Sequence, residues 1–97
     1  MRKYELMLIL NPELGDAGAA TLLGEIKAEL KTIGTVIEKE DIMGVKDLAY
    51  KINNSKTGYY ALYNLGLEKG DFFAVTNAFN LKKDIWRNMF IRLEETK

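Results

Sequence analysis

Ser55 is the one serine in the chain, and it stands in the polar run Asn53-Asn54-Ser55-Lys56-Thr57-Gly58 with no base to activate it. The sequence has no histidine and no cysteine. Those two absences remove the commonest general base, the thiol nucleophile and the imidazole and thiolate metal ligands. Carboxylate chemistry is the remaining catalytic option, yet the aspartates and glutamates are scattered among lysines in the manner of a solvated surface. The residue types therefore predict a protein without catalysis, cofactor or metal, one that acts by binding.

Charge narrows the partner only slightly. Fourteen basic residues balance fourteen acidic ones, so no long-range field draws the chain toward nucleic acid. Their distribution is less even: residues 72–97 carry a net +2, and Arg2 and Lys3 make a basic start. This pattern permits an RNA contact without requiring one. A length of 97 residues predicts one domain spanning 1–97. The sequence holds no run of eighteen apolar residues, and the seven-residue apolar stretch near the start leads into Asn11-Pro12 rather than a small-residue cleavage site. A cytoplasmic protein without a signal peptide is expected.

The binding surface has to be built by short elements. Residues 4–10 are apolar and end at Asn11-Pro12, which reads as a strand running into a turn. Asp16 is the expected N-cap of a helix whose apolar residues Ala19, Leu22, Leu23, Ile26, Leu30 and Ile33 recur at spacings of three and four, with Gly34 as its C-cap glycine. An extended pattern resumes at residue 35 and continues to residue 52, with a bulge or close backbone approach expected at Met43-Gly44-Val45. Turn residues fill 53–58, and the aromatic-rich segment 59–67 has the density of a central strand. Asp71 is the N-cap expected for a second helix facing inward through Phe72, Val75, Ala78 and Phe79, and Ile85–Leu93 forms the last strand.

The order βαββαβ predicts an α+β, ferredoxin-like sandwich: a four-stranded antiparallel sheet with both helices on one face. Two helices cover one face only. The first strand is apolar on both faces, with Leu6, Leu8 and Leu10 alternating with Met7 and Ile9. An open face holding Met7, Ile9, Leu62, Met89 and Ile91 would release at most about 1.5–3 kcal/mol per residue on complete burial. A contiguous apolar set across neighbouring strands marks a partner surface.

RNA-recognition motifs share this element order and stack bases on aromatic residues of the first and third strands. Here Thr57-Gly58-Tyr59-Tyr60-Ala61 matches the third-strand signature only at the glycine and the first ring, and Leu8-Ile9-Leu10-Asn11 offers no ring at all. Base stacking on the strands is therefore not expected.

A more specific pattern lies at Gly44-Val45-Lys46-Asp47-Leu48-Ala49-Tyr50-Lys51-Ile52. It resembles the Gly-x-basic-x-Leu-Ala-Tyr-x-Ile element of the family of the sixth protein of the bacterial small ribosomal subunit. Met1-Arg2-Lys3-Tyr4-Glu5, Leu10-Asn11-Pro12, Gly58-Tyr59-Tyr60 and Asp84-Ile85-Trp86-Arg87-Asn88-Met89 are similar to that family in the same order. The resemblance spans nearly the whole chain. Departures are local: Asp47 replaces a residue that is basic in many relatives, Lys51 replaces a common proline, and Trp86 and Asn88 stand in a typically aliphatic strand.

The resemblance implies a structural protein of the small (30S) subunit that binds the central domain of 16S ribosomal RNA as a pair with the eighteenth small-subunit ribosomal protein. Carried over position by position, it implies Arg2, Lys46, Arg87 and Arg92 as phosphate contacts, and Leu48, Tyr50, Tyr60, Leu62 and Met89 as contacts to the protein partner. A neutral chain with an open apolar face suits such sharing. A second reading is a small ferredoxin-like regulatory module that dimerises through its open sheet and holds a ligand in a polar pocket or glycine-rich loop. A third is a small carboxylate-dependent hydrolase.

Overall fold

The computed structural model describes residues 2–93; Met1 and the charged tail at 94–97, both noted in the sequence, lie outside the described residues. The elements are β1 (Arg2–Leu10), a 3-10 turn (Pro12–Leu14), α1 (Gly15–Thr32), β2 (Val36–Ile52), β3 (Ser55–Leu67), α2 (Phe73–Asn80) and β4 (Ile85–Leu93). The strands form one antiparallel sheet in the order β2-β3-β1-β4. This is the ferredoxin-like arrangement expected from the element order.

The start of α1 differs from the expectation. Leu14, not Asp16, holds the cap position, without a side-chain bond; Asn11 caps the preceding 3-10 turn, its Oδ1 accepting from the Glu13 N–H at 3.0 Å, and Pro12 opens that turn. Asp16 falls inside the first turn, where its charge favours the helix N-terminus. The C-terminus is as expected. Gly34 adopts φ 82°, its N–H donates to Lys31 O at 3.0 Å, and the Thr35 N–H donates to Leu30 O at 3.1 Å, closing a Schellman motif. At α2, Phe72 and not Asp71 holds the cap position; Asp71 lies one residue before it, and its Oδ1 accepts from the Phe73 N–H at 3.0 Å.

The two alternations along the strands now separate. Leu6, Leu8 and Leu10 of β1 and Ala61, Tyr63 and Leu65 of β3 are fully buried under the helices. Ala19, Leu22, Leu23, Ile26 and Leu30 of α1 and Val75 and Phe79 of α2 meet them, and Phe90 of β4 packs against the same cluster. Ala78, expected to face inward, is only partly buried. Asn88 lies opposite Leu8, and its Nδ2 donates to Asn80 Oδ1 at 3.1 Å, which satisfies a polar side chain at the margin of this layer.

One polar tie fastens α1 to the sheet. The Tyr63 hydroxyl donates to Glu40 Oε2 at 2.7 Å, and Lys27 Nζ lies 3.1 Å from the same oxygen. Those two donors hold the Glu40 carboxyl below its ordinary range. Burial, and then the bond to Glu40, push the Tyr63 hydroxyl well above the usual tyrosine range.

The β2–β3 hairpin departs most from the sequence reading. Its turn is two residues, not six: Asn53 and Asn54 both take positive φ, 50° and 64°, and Ile52 pairs directly with Ser55. Residues 55–58, expected as turn, belong to β3. The expected bulge is present, since Ile42 pairs with Ala61 and Gly44 with Tyr60, leaving Met43 as a surplus residue beside Gly44 at φ 79°.

Candidate functional site

On β3 the even-numbered residues and on β1 the odd-numbered ones point away from the helices. Met7 stands opposite both Leu62 and Met89, Ile9 opposite Tyr60 and Arg87, and Glu5 opposite Asn64 and Ile91. The open face is thus apolar through its middle and polar toward the start of β1, where Lys3 pairs with Glu38. Met89 is 50% exposed and Ile91 41%, whereas Ile9, expected on the uncovered face, is only 7% exposed. Ile9 is covered by this chain's own hairpin.

The cover comes from an irregular stretch of β2. Between the pairs Asp47–Thr57 and Ile52–Ser55, the four residues 48–51 face the single residue Lys56. Three residues are therefore in excess, and the strand arches out of the ladder. Leu48 packs down from this arch. A methyl group added at Gly58 would lie 3.2 Å from Leu48 Cδ2 and 2.6 Å from Ile9 Cγ2. Gly58 is the gap that lets Leu48 and Ile9 close over β3. Gly58→Ala should therefore cost about 1–3 kcal/mol of stability by overpacking, because the branched Ile9 cannot swing aside. Urea unfolding measures this, and a variant as stable as the parent would mean the arch is loosely held.

The arch and the open face together form a cleft of about 250 Å³, with Met7, Leu48, Tyr50, Tyr60, Arg87 and Met89 in its wall. Four of the five partner residues suggested by the resemblance, Leu48, Tyr50, Tyr60 and Met89, meet here. The fifth, Leu62, adjoins it opposite Met7. None of the five is fully buried, and Tyr50 is 72% exposed. Met7 and Ile9, expected on the open face, line the cleft as well; Ile52 was not foreseen there, and only the arch brings it in.

The four basic residues do not converge. Lys46, opposite Gly58, and Arg87, opposite Ile9, flank the open face at the hairpin end. Arg2, opposite Leu67, and Arg92, opposite Tyr4, lie on the helix side near the start of β1, a separation of roughly 23 Å over seven strand residues. Arg2 donates to the Gly70 carbonyl and Arg87 Nη1 to the Trp86 carbonyl at 2.9 Å. Among the described residues none of the four makes an ion pair, whereas Lys3, Lys27 and Lys82 are each paired with a glutamate. The arrangement offers an apolar cleft with Lys46 and Arg87 beside it and a second basic pair on the other face of the sheet, a geometry for adhesion. Among the described residues, no helix is long and apolar enough to cross a membrane.

Comparison with known proteins agrees with this. Residues 3–92 match the family model of ribosomal protein S6. A small ribosomal subunit protein bS6 of Paenarthrobacter aurescens is 34% identical over 97 residues, covering all of this chain and 96% of the relative. That of Halalkalibacterium halodurans is 32% identical over 95 residues, covering 98% of this chain and all of the relative. The crystal structure of 30S ribosomal protein S6 from Thermotoga maritima superposes with a TM-score of 0.89 over 95% of this chain and 87% of that one, at 22% identity, and so shares the fold. This chain belongs to the ribosomal protein S6 family, whose members are structural components of the small ribosomal subunit and not enzymes.

Proposed function

We propose that this chain, as one domain over 1–97, binds the central domain of 16S ribosomal RNA in the bacterial cytoplasm together with the eighteenth small-subunit protein, and that the cleft receives that partner. The observation that carries the reading is the apolar wall of Met7, Leu48, Tyr60 and Met89 on a sheet face that neither α1 nor α2 covers. Arg2, Lys46, Arg87 and Arg92 act as phosphate contacts. Tyr50 and Leu62 extend the protein contact on either side.

A zero net charge makes the chain a poor RNA ligand by itself. A basic partner seated in the cleft adds its own cations beside Lys46 and Arg87, so RNA affinity rises when the two proteins are mixed. The test is RNA binding by the chain alone and as the pair, across salt concentrations. Four phosphate contacts from this chain contribute a slope of about 3–4 in log affinity against log salt, and Arg87→Ala removes about 0.7–0.9 of it. A stable homodimer indifferent to both RNA and partner would overturn the proposal in favour of a regulatory module.

A further inference from the structure

A second hollow, about 600 Å³ and open to solvent, lies where the Asn53–Asn54 turn, the 11–13 segment and the start of β4 meet. Its walls are chemically unlike those of the cleft. Asn53, Asn54, Ser55, Lys83 and Trp86 line it, together with the acidic Glu13 and Asp84. Trp86 stands there because β4 bulges: Ile9 pairs with Arg87 and Leu10 with Ile85, which leaves Trp86 without a partner on β1. A bulge re-aims the side chain it carries, and here it leaves the chain's one tryptophan half-buried at a polar opening.

The neighbouring groups differ in how far they are already committed. Asn11 Nδ2 donates to Asp84 Oδ1 at 3.2 Å and its Oδ1 accepts from Glu13, so that amide and that carboxylate hold each other. Asn53 and Asn54 make no side-chain hydrogen bond among the described residues, and the left-handed turn fixes both backbones at the rim. Each carboxamide offers a donor and an acceptor, the combination that a base edge presents in return. Lys83 is offset by Glu13 and Asp84, so a phosphate gains little here. With Lys83 against two carboxylates the hollow carries a net charge of −1, so it suits a neutral, flat, polar-edged ring held by the indole and the two amides.

We infer that this hollow takes an unpaired base of the bound RNA, stacked on Trp86 and hydrogen-bonded by Asn53 and Asn54; the inference rests on the RNA reading above. It gives the chain a contact that reads a base, separate from its phosphate contacts and on a different surface from the strand positions that RNA-recognition motifs use.

Trp86 is its own probe. The full chain is titrated first with the eighteenth small-subunit protein, any tryptophan of which is replaced by phenylalanine, and then with a 16S central-domain fragment, while fluorescence and affinity are followed. The expected result is quenching at the RNA step. Trp86→Ala should weaken RNA binding about tenfold, Trp86→Phe much less, and the loss should be the same at low and moderate salt because stacking releases no counterions. RNA that binds normally with unchanged fluorescence overturns the inference and leaves the RNA reading intact. So does full quenching by the protein partner alone, which would put Trp86 under protein. If the pair binds no RNA at all, both proposals fail together.

Discussion

On the pairing proposed above, Met89→Asp should abolish binding of the eighteenth small-subunit protein while changing the stability of the free chain by no more than about 0.5 kcal/mol. Two facts about one side chain set this expectation. Met89 is 50% exposed, so the folded chain already solvates whatever stands there, and it lies opposite Met7 in the wall of the cleft. Covering the cleft strips water from that position. An aspartate there becomes a desolvated charge without a counter-ion, which costs several kcal/mol and corresponds to at least a hundredfold loss of affinity. Met89→Leu keeps the apolar volume and retains pairing. Titration calorimetry with purified partner, set beside thermal unfolding of each variant, reads both halves. Undiminished pairing by Met89→Asp would place the partner on some other surface.

Much of the fold was legible because its signals are local. The 3.6-residue recurrence from Ala19 to Leu30, the glycine at 34 and the aromatic density of 59–67 each depend on a short stretch of chain, and the structure realises all three. The choice between the faces of β1 was not legible, since Leu6, Leu8 and Leu10 bury as well as Met7 and Ile9. Only the neighbours across the ladder decide it. Residues 55–58 read as turn because the end of a two-stranded hairpin is solvated on both sides and carries polar residues whatever its backbone does.

The site was less legible for a related reason. The Leu-Ala-Tyr element stood out as a pattern, but its consequence, three excess residues that arch Leu48 over Ile9, is a property of pairing between β2 and β3. The bulge that frees Trp86 is likewise a property of β1 with β4. Strand pairing is written in two segments at once, and inspection of either alone cannot show a mismatch in residue number. Candidate cations were easier to name than to place. Arg2 and Arg87 sit at opposite ends and on opposite faces of the same sheet, which residue type does not reveal.

Phe79→Ala removes about 3–5 kcal/mol of stability, the largest single loss expected in the molecule, yet leaves pairing by the folded fraction within about twofold. At eight residues, α2 is too short to hold itself and depends on what it buries. Phe79 is fully buried and stacks on Phe90 with ring centroids 6.3 Å apart; Phe72 stacks on Phe90 at 4.2 Å and meets Tyr4 edge-on at 4.8 Å. This aromatic row fastens α2 to β1 and β4. Removing one ring leaves a cavity the row cannot fill, a large fraction of the roughly 5–15 kcal/mol that holds a domain of this size. The midpoint of thermal unfolding should fall by roughly 15–30 °C. The cleft should be untouched, because β1, β3 and β4 present Phe79's contacts and the partner's contacts on alternate residues of opposite faces. Calorimetry well below the lowered midpoint tests this: if Phe79→Ala weakens pairing as severely as Met89→Asp, the two faces are mechanically coupled, and the period-two separation of folding from docking does not hold.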